Sequence, residues 1–174
     1  MAEIILRATT LTAEAFRPFG DVIEIEGRRS RWINDNTCRR FDDLAAVDVA
    51  EAGGRPLISV FEATPRELPL QIRMLERHPL SSQAFHPLEL RPFLIVVAED
   101  GPAPVASRLR AYLSSGRQGV NYRRNTWHHP LIALDRISRF LVVDRGGPGE
   151  NCEEVAIDTT VLVTAATLPG PENS

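Results

Sequence analysis

Apolar and polar residues alternate with a period of two along much of this chain, which is the signature of half-buried strands. Val22 to Ile25 alternate within "FGDVIEIEG" (19–27), and "RLRAYL" puts Leu109, Ala111 and Leu113 on one face. Further strands are predicted over 56–64, 70–78, 83–90, 92–100, 107–115, 129–134 and 136–147. The turn signals "TPREL", "HPLSS", "EDGPAP", "SSGRQG" and "DRGGPG" separate them. Two helices are expected. "LTAEAF" (11–16) is opened by a Thr12 cap, and "FDDLAAVDVAEAGG" (41–54) has Asp42 or Asp43 near its start and Gly53-Gly54 at its end. Many short strands at close spacing predict a mainly β domain, an antiparallel sandwich or barrel rather than a parallel sheet, with a few short helices. A single domain is expected over 1–167, with 168–174 as a flexible tail.

Composition narrows the function. The 174 residues are 43% hydrophobic and 25% charged, enough for one domain with its own core. A net charge of -3 gives no electrostatic case for nucleic acid. Apolar runs such as "FLIVVA" are too short to span a bilayer, and the first residues lack a signal peptide's apolar segment. Two cysteines, Cys38 and Cys152, are too few for a disulfide framework, so the expected setting is the cytoplasm with reduced thiols. All 20 basic residues are arginine. The absence of lysine excludes Schiff-base catalysis and a phosphate-loop lysine, whereas arginine suits two-point recognition of carboxylates.

The chemistry-bearing residues gather in two stretches. In "ERHPLSSQAF", Glu76 and His78 share a face of one strand, and the "PLSS" turn brings Gln83 back beside them. About 45 residues later, "NTWHHPL" holds His128 and His129, only one of which faces a given interior of a regular strand. Tyr122 lies just before and is a candidate phenol at the same mouth. Arg77 should face away from Glu76 and His78, where an acidic group such as Asp144 would pair with it. His86 is expected at the surface, and "DRGG" (144–147) reads as a turn. In the arginine-rich "RRSRWINDNTCRRF" (28–41), Asn34 with Arg39 or Arg40 is the candidate clamp for an anionic substrate.

These two stretches resemble the ligand motifs of metal-binding cupin barrels. Glu76-x-His78 followed by Gln83 occupies the first motif, and "RRNTWH" (123–128) occupies the second, with His128 in the ligand position. Glu76 stands where the pattern has histidine, Gln83 where it has glutamate, and Arg123 and Asn125 where it has proline and glycine. The resemblance implies that His128 faces inward and that His129 points outward or into a dimer contact. A more extensive resemblance covers residues 19–152. "FGDVIE", "WIND", "LERHPLSSQAF", "GVNYRRNTWHHPL" and "DRGGPGENC" together look like the ureidoglycolate lyase family, with Asn36 standing where that family's glycine is expected.

The family resemblance implies a cupin-like antiparallel β-barrel of jelly-roll type, usually a homodimer. It also implies cleavage of ureidoglycolate to glyoxylate and urea in allantoin breakdown. The implied site has Glu76, His128 and Tyr122 as catalytic groups, with His78, His128, Glu76 and Gln83 around a single divalent metal such as nickel, zinc or manganese. Read from the residues themselves, Asn34 with Arg39 or Arg40, together with Gln83, are the expected substrate contacts. Glu76 is either a third ligand or the base, and Tyr122, Gln83 or an ordered water serves the leaving nitrogen. A dinuclear amidohydrolase site is disfavoured, because too few ligands are placed for two metals. The competing readings are a non-catalytic barrel that senses a small carboxylate and a same-fold enzyme acting on a related hydroxy acid.

Overall fold

A computed structural model describes residues 3–99 and 101–165. Among these described residues, thirteen strands carry the fold. They are β1 (Ile4–Thr10), β2 (Gly20–Ile23), β3 (Arg31–Ile33), β4 (Cys38–Arg40), β5 (Arg55–Ala63), β6 (Leu70–Arg77), β7 (Gln83–Pro87), β8 (Phe93–Ala98), β9 (Leu109–Leu113), β10 (Gly119–Tyr122), β11 (Ile132–Ala133), β12 (Ser138–Gly146) and β13 (Glu153–Ala165). Among the described residues the one α-helix, α1 (Ala13–Phe16), is capped by Thr12, whose hydroxyl accepts from the Ala15 amide at 3.2 Å. The expected tail at 168–174 lies outside the described residues.

One sheet runs β11-β8-β9-β1-β13-β6 and a second runs β2-β10-β7-β12-β5; β3 and β4 form a separate hairpin. The mainly β, cupin-like expectation holds, with one correction. The six-stranded sheet is mixed, because β1 pairs in parallel with both β13 and β9. β1 and β9 are separated by a long stretch of chain, so no hairpin forces them antiparallel.

The described residues form two apolar cores. Leu94, Val96 and Ala98 of β8 face a core made by the curled six-stranded sheet, together with Ile72, Leu75, Trp127 and Val163. Phe93, Ile95 and Val97 face a second core between the two sheets, together with Phe85, Val120, Tyr122, Phe140 and Val142. A strand buried on both faces has no polar side, which explains the unbroken "FLIVVA". The segment 127–129 lies between β6 and β8. Glu76 and His128 exchange backbone hydrogen bonds of 2.8 Å each way, while the Ala98 amide donates to Trp127 O and the His129 amide to Val96 O. That segment links the last strand of the six-stranded sheet back to β8.

The helix expected over 41–54 does not form; only a single 3-10 turn, Glu51–Gly53, appears. The segment's polar backbone groups are held from elsewhere in the fold. The Ala46 amide donates to Asp21 Oδ2 (3.1 Å), Ala46 O accepts from Asn121 Nδ2 (2.9 Å), and Asp48 exchanges bonds with Ser82 through its amide and carbonyl. These long-range partners replace the helical ladder, and the segment becomes a strap over β2, β10 and the 79–82 turn.

Candidate active site

The site forms where β6, the 79–82 turn, β7 and the 127–129 segment meet, on the side facing the five-stranded sheet. Alternation along β6 sends Leu75 into the first core and Glu76 to the opposite face. The same alternation at Trp127 and His128 sends the indole into that core, and His128, 1% exposed, to the side of Glu76. His128 Nε2 lies 3.5 Å from Glu76 Oε1. The His78 and His128 ring centroids are 5.2 Å apart. Glu76, His78 and His128 each offer one donor atom, and the three atoms lie within 4.8 Å of one another.

Both imidazoles are oriented by backbone. His78 Nδ1 meets Asn151 O at 2.7 Å and His128 Nδ1 meets Thr126 O at 2.8 Å. A carbonyl only accepts, so each Nδ1 carries the proton and each Nε2 keeps its lone pair when the ring is neutral. A ring held through Nδ1 by a carbonyl is turned and fixed so that its Nε2 lone pair can bind a metal. His128 Nε2 is buried and has no hydrogen-bond partner among the described residues. Gln83 Oε1 lies 3.1 Å from His78 Nε2, and its amide can present either end to the ring. The donor set of two imidazoles and a carboxylate therefore fits one borderline divalent ion.

Electrostatics follow from burial and neighbours. Burial pushes the Glu76 carboxyl up, but its contact with His128 and the charges of His128, His78 and His129 outweigh that and hold it below the usual value. Tyr122 stacks on His128, with ring centroids 4.1 Å apart and 12° between planes. Burial, with the Glu76 charge adding to it, raises the Tyr122 phenol, which therefore stays protonated. The Asp144 carboxyl is also pushed up by burial, against the influence of neighbouring His78 and Gln83.

Asn34, Arg39 and Arg40 do not meet this cluster. They lie on the exposed β3–β4 hairpin, where Arg39 donates to Ser30 Oγ at 2.7 Å and Arg40 pairs with Asp42. Asn34, Asp35 and Asn36 occupy the left-handed region, with φ of 52°, 54° and 63°. Asn36 thus keeps the conformation of the glycine expected there, and so does Asn125 in the second motif, at φ 65°. Arg77 does point away from the site, but its partner is Glu153 (2.6 Å) rather than Asp144, and it also stacks 4.4 Å over Trp127. The correction has a simple cause: Glu153 is the cross-strand neighbour of Arg77 on β13, whereas Asp144 belongs to the other sheet. His129 is half-buried and bonds to Pro130 O, and His86 is half-buried rather than a surface residue.

Sequence reasoning missed three site residues. Asp144, Ser81 and Asn151 line a cavity of about 270 Å³ that also touches His78, Gln83 and Cys152. Asn151 does the most positioning. Its carbonyl holds His78, its Oδ1 accepts from the Leu80 amide (2.8 Å), and its Nδ2 donates to Ser81 Oγ (2.9 Å). The one available signal was "GENC" following the last turn of the resemblance.

Fold and centre define a cupin-like barrel with a site of two histidines and one carboxylate. Residues 3–164 match the family described as Ureidoglycolate lyase, and the chain belongs to that family. It is 54% identical over 154 residues to "Ureidoglycolate lyase" of Burkholderia mallei, covering 88% of this chain and 90% of that one. It is also 54% identical over 149 residues to "Ureidoglycolate lyase" of Pseudomonas paraeruginosa, covering 86% and 88%. A third relative of the same name, from Stutzerimonas stutzeri, is 56% identical over 144 residues, covering 83% and 85%.

Proposed function

We propose that this protein is a ureidoglycolate lyase that cleaves (S)-ureidoglycolate to glyoxylate and urea, in the cytoplasm, as a step of allantoin and purine breakdown. The observation that carries this reading is the convergence of Glu76, His78 and His128 beside a polar cavity, in a chain of this family.

The substrate carries an α-hydroxyl on the carbon that bears the urea nitrogen. Breaking that C–N bond turns the hydroxyl into the aldehyde oxygen of glyoxylate. The reaction needs a base for the hydroxyl proton and a donor for the departing nitrogen. Glu76, held ionised by its histidine neighbours, is suited to take the hydroxyl proton. Tyr122, held protonated and stacked on His128, is one candidate donor, with Gln83 or a water as the other routes. A divalent ion held by His78 and His128, with Gln83 beside them and with Glu76 as third ligand where it is not the base, would supply chelation of carboxylate and hydroxyl and acidify the latter. Nickel, zinc and manganese all suit such a donor set.

The proposed assembly is a homodimer. Ile58 (76% exposed) and Val60 (57% exposed) lie on the outer face of the five-stranded sheet, opposite Val143 and Leu141, so an apolar strip faces outward there. Assay of glyoxylate release by purified protein, with His78→Ala and His128→Ala alongside and metal content measured by elemental analysis, tests the reading. Turnover with about one ion per chain is expected, and loss of both in each variant. Full activity in a metal-free wild type removes the metal from the proposal, and no turnover at all favours a sensor of small carboxylates.

A further inference from the structure

The cavity beyond His78 is lined by a carboxylate with one oxygen lacking a hydrogen-bond partner among the described residues and by a serine whose hydroxyl proton is uncommitted. Asp144 projects from β12 toward the space between the sheets, in alternation with Phe140 and Val142, both of which lie in the second core. Its Oδ1 is shut off from solvent and has no hydrogen-bond partner among the described residues. Ser81 is 1% exposed, and its oxygen already accepts from Asn151 Nδ2, which leaves its hydroxyl proton to donate elsewhere. Both residues line the 270 Å³ cavity with Gln83 and His78. A buried acceptor without a donor is costly to a fold, and its retention points to a ligand that completes it.

We propose that this cavity is the subsite for the ureido group, in which Asp144 accepts from the terminal NH2 and Ser81 donates to the urea carbonyl. The assignment rests on the lyase reading for the identity of the substrate. A urea terminus offers N–H donors beside a carbonyl acceptor, the complement of a carboxylate beside a hydroxyl. The α-hydroxy acid end then lies toward Glu76 and His128, because His78 is shared by the cavity and the cluster. A buried carboxylate oxygen without a partner gains most from N–H donors that replace the lost water. Asp144 therefore determines specificity: it selects an NH2 terminus over a methyl terminus of the same shape.

N-carbamoylglycine and N-acetylglycine share a carboxylate, an N–H and a carbonyl, and differ only in that terminus. Calorimetric titration of the purified wild type, as isolated, should show N-carbamoylglycine binding at least about tenfold more tightly, the value of one hydrogen bond to a charged group. In Asp144→Ala, or in Asp144→Leu with similar side-chain volume, the preference should fall below about threefold. Ser81→Ala should weaken both ligands by similar factors and leave their ratio unchanged. Absence of a preference in the wild type overturns the proposal, as does a full preference in a folded Asp144 variant, and unaltered affinities in Ser81→Ala overturn the role of Ser81. Turnover of ureidoglycolate is measured separately. A wild type that prefers the carbamoyl ligand yet makes no glyoxylate keeps the subsite and loses the lyase reading, while turnover without preference does the reverse.

Discussion

Adjacent residues of an extended segment point to opposite sides, and His128 and His129 have different surroundings. His128 is buried against Tyr122 with its Nε2 free, whereas the His129 ring is held by Pro130 O. His128→Ala should lower turnover by roughly 100-fold or more, within the range of lost acid–base or ligand function. His129→Ala should act mainly on stability, seen as a lower melting temperature with nearly unchanged kcat. Equal losses of kcat in the two variants, both folded, would contradict the assignment. His86 supplies a pH prediction. Burial lowers its folded-state pKa below the ordinary 6.5. Its unfolded form therefore takes up a proton first as the solution is acidified. The stability it contributes is present above pH 6.5 and is lost as pH falls through the lower folded value. His86→Leu should flatten that acid limb in denaturant titrations between neutral pH and pH 5.

Strands were legible wherever one face is apolar, and β8 was legible because both are. β1, β3, β4, β10 and β13 were missed. β13 is mostly half-exposed over its length, and its register shifts between Ala156 and Val161, so its alternation does not stand out. The 41–54 strap misled for the opposite reason. Its apolar spacing resembles a helix, but its hydrogen bonds belong to Asp21, Ser82 and Asn121, which no local pattern reveals. The Glu76, His78, Gln83 and His128 grouping was legible from hairpin geometry and motif resemblance. Asp144 was not, because a carboxylate at the start of "DRGG" looks like turn chemistry until the strand is seen to run through it to Gly146. At this scale Arg77 is the joint between β6, β13 and the 127–129 segment. Arg77→Ala removes the ion pair to Glu153 and the stack on Trp127, and should cost about 1–2 kcal/mol in chemical denaturation.

At the scale of the molecule, two cores and a site between sheets leave the outer face of the five-stranded sheet to be covered. Light scattering should give a dimer at micromolar concentration, and Ile58→Glu with Val60→Glu should shift it to monomer. A wild-type monomer would remove the homodimer. The bond that breaks separates the two possible reaction classes. A lyase severs carbon from nitrogen and leaves urea whole, whereas an amidohydrolase attacks the urea carbonyl and must stabilise a tetrahedral oxyanion. Glu76, His78 and His128 with a single protonated phenol suit the first reaction. The most direct measurement is the product stoichiometry of purified protein incubated with (S)-ureidoglycolate in a urease-free assay. Glyoxylate and urea should appear in equal amounts with no ammonia until urease is added; ammonia formed in step with glyoxylate before that addition would contradict the account.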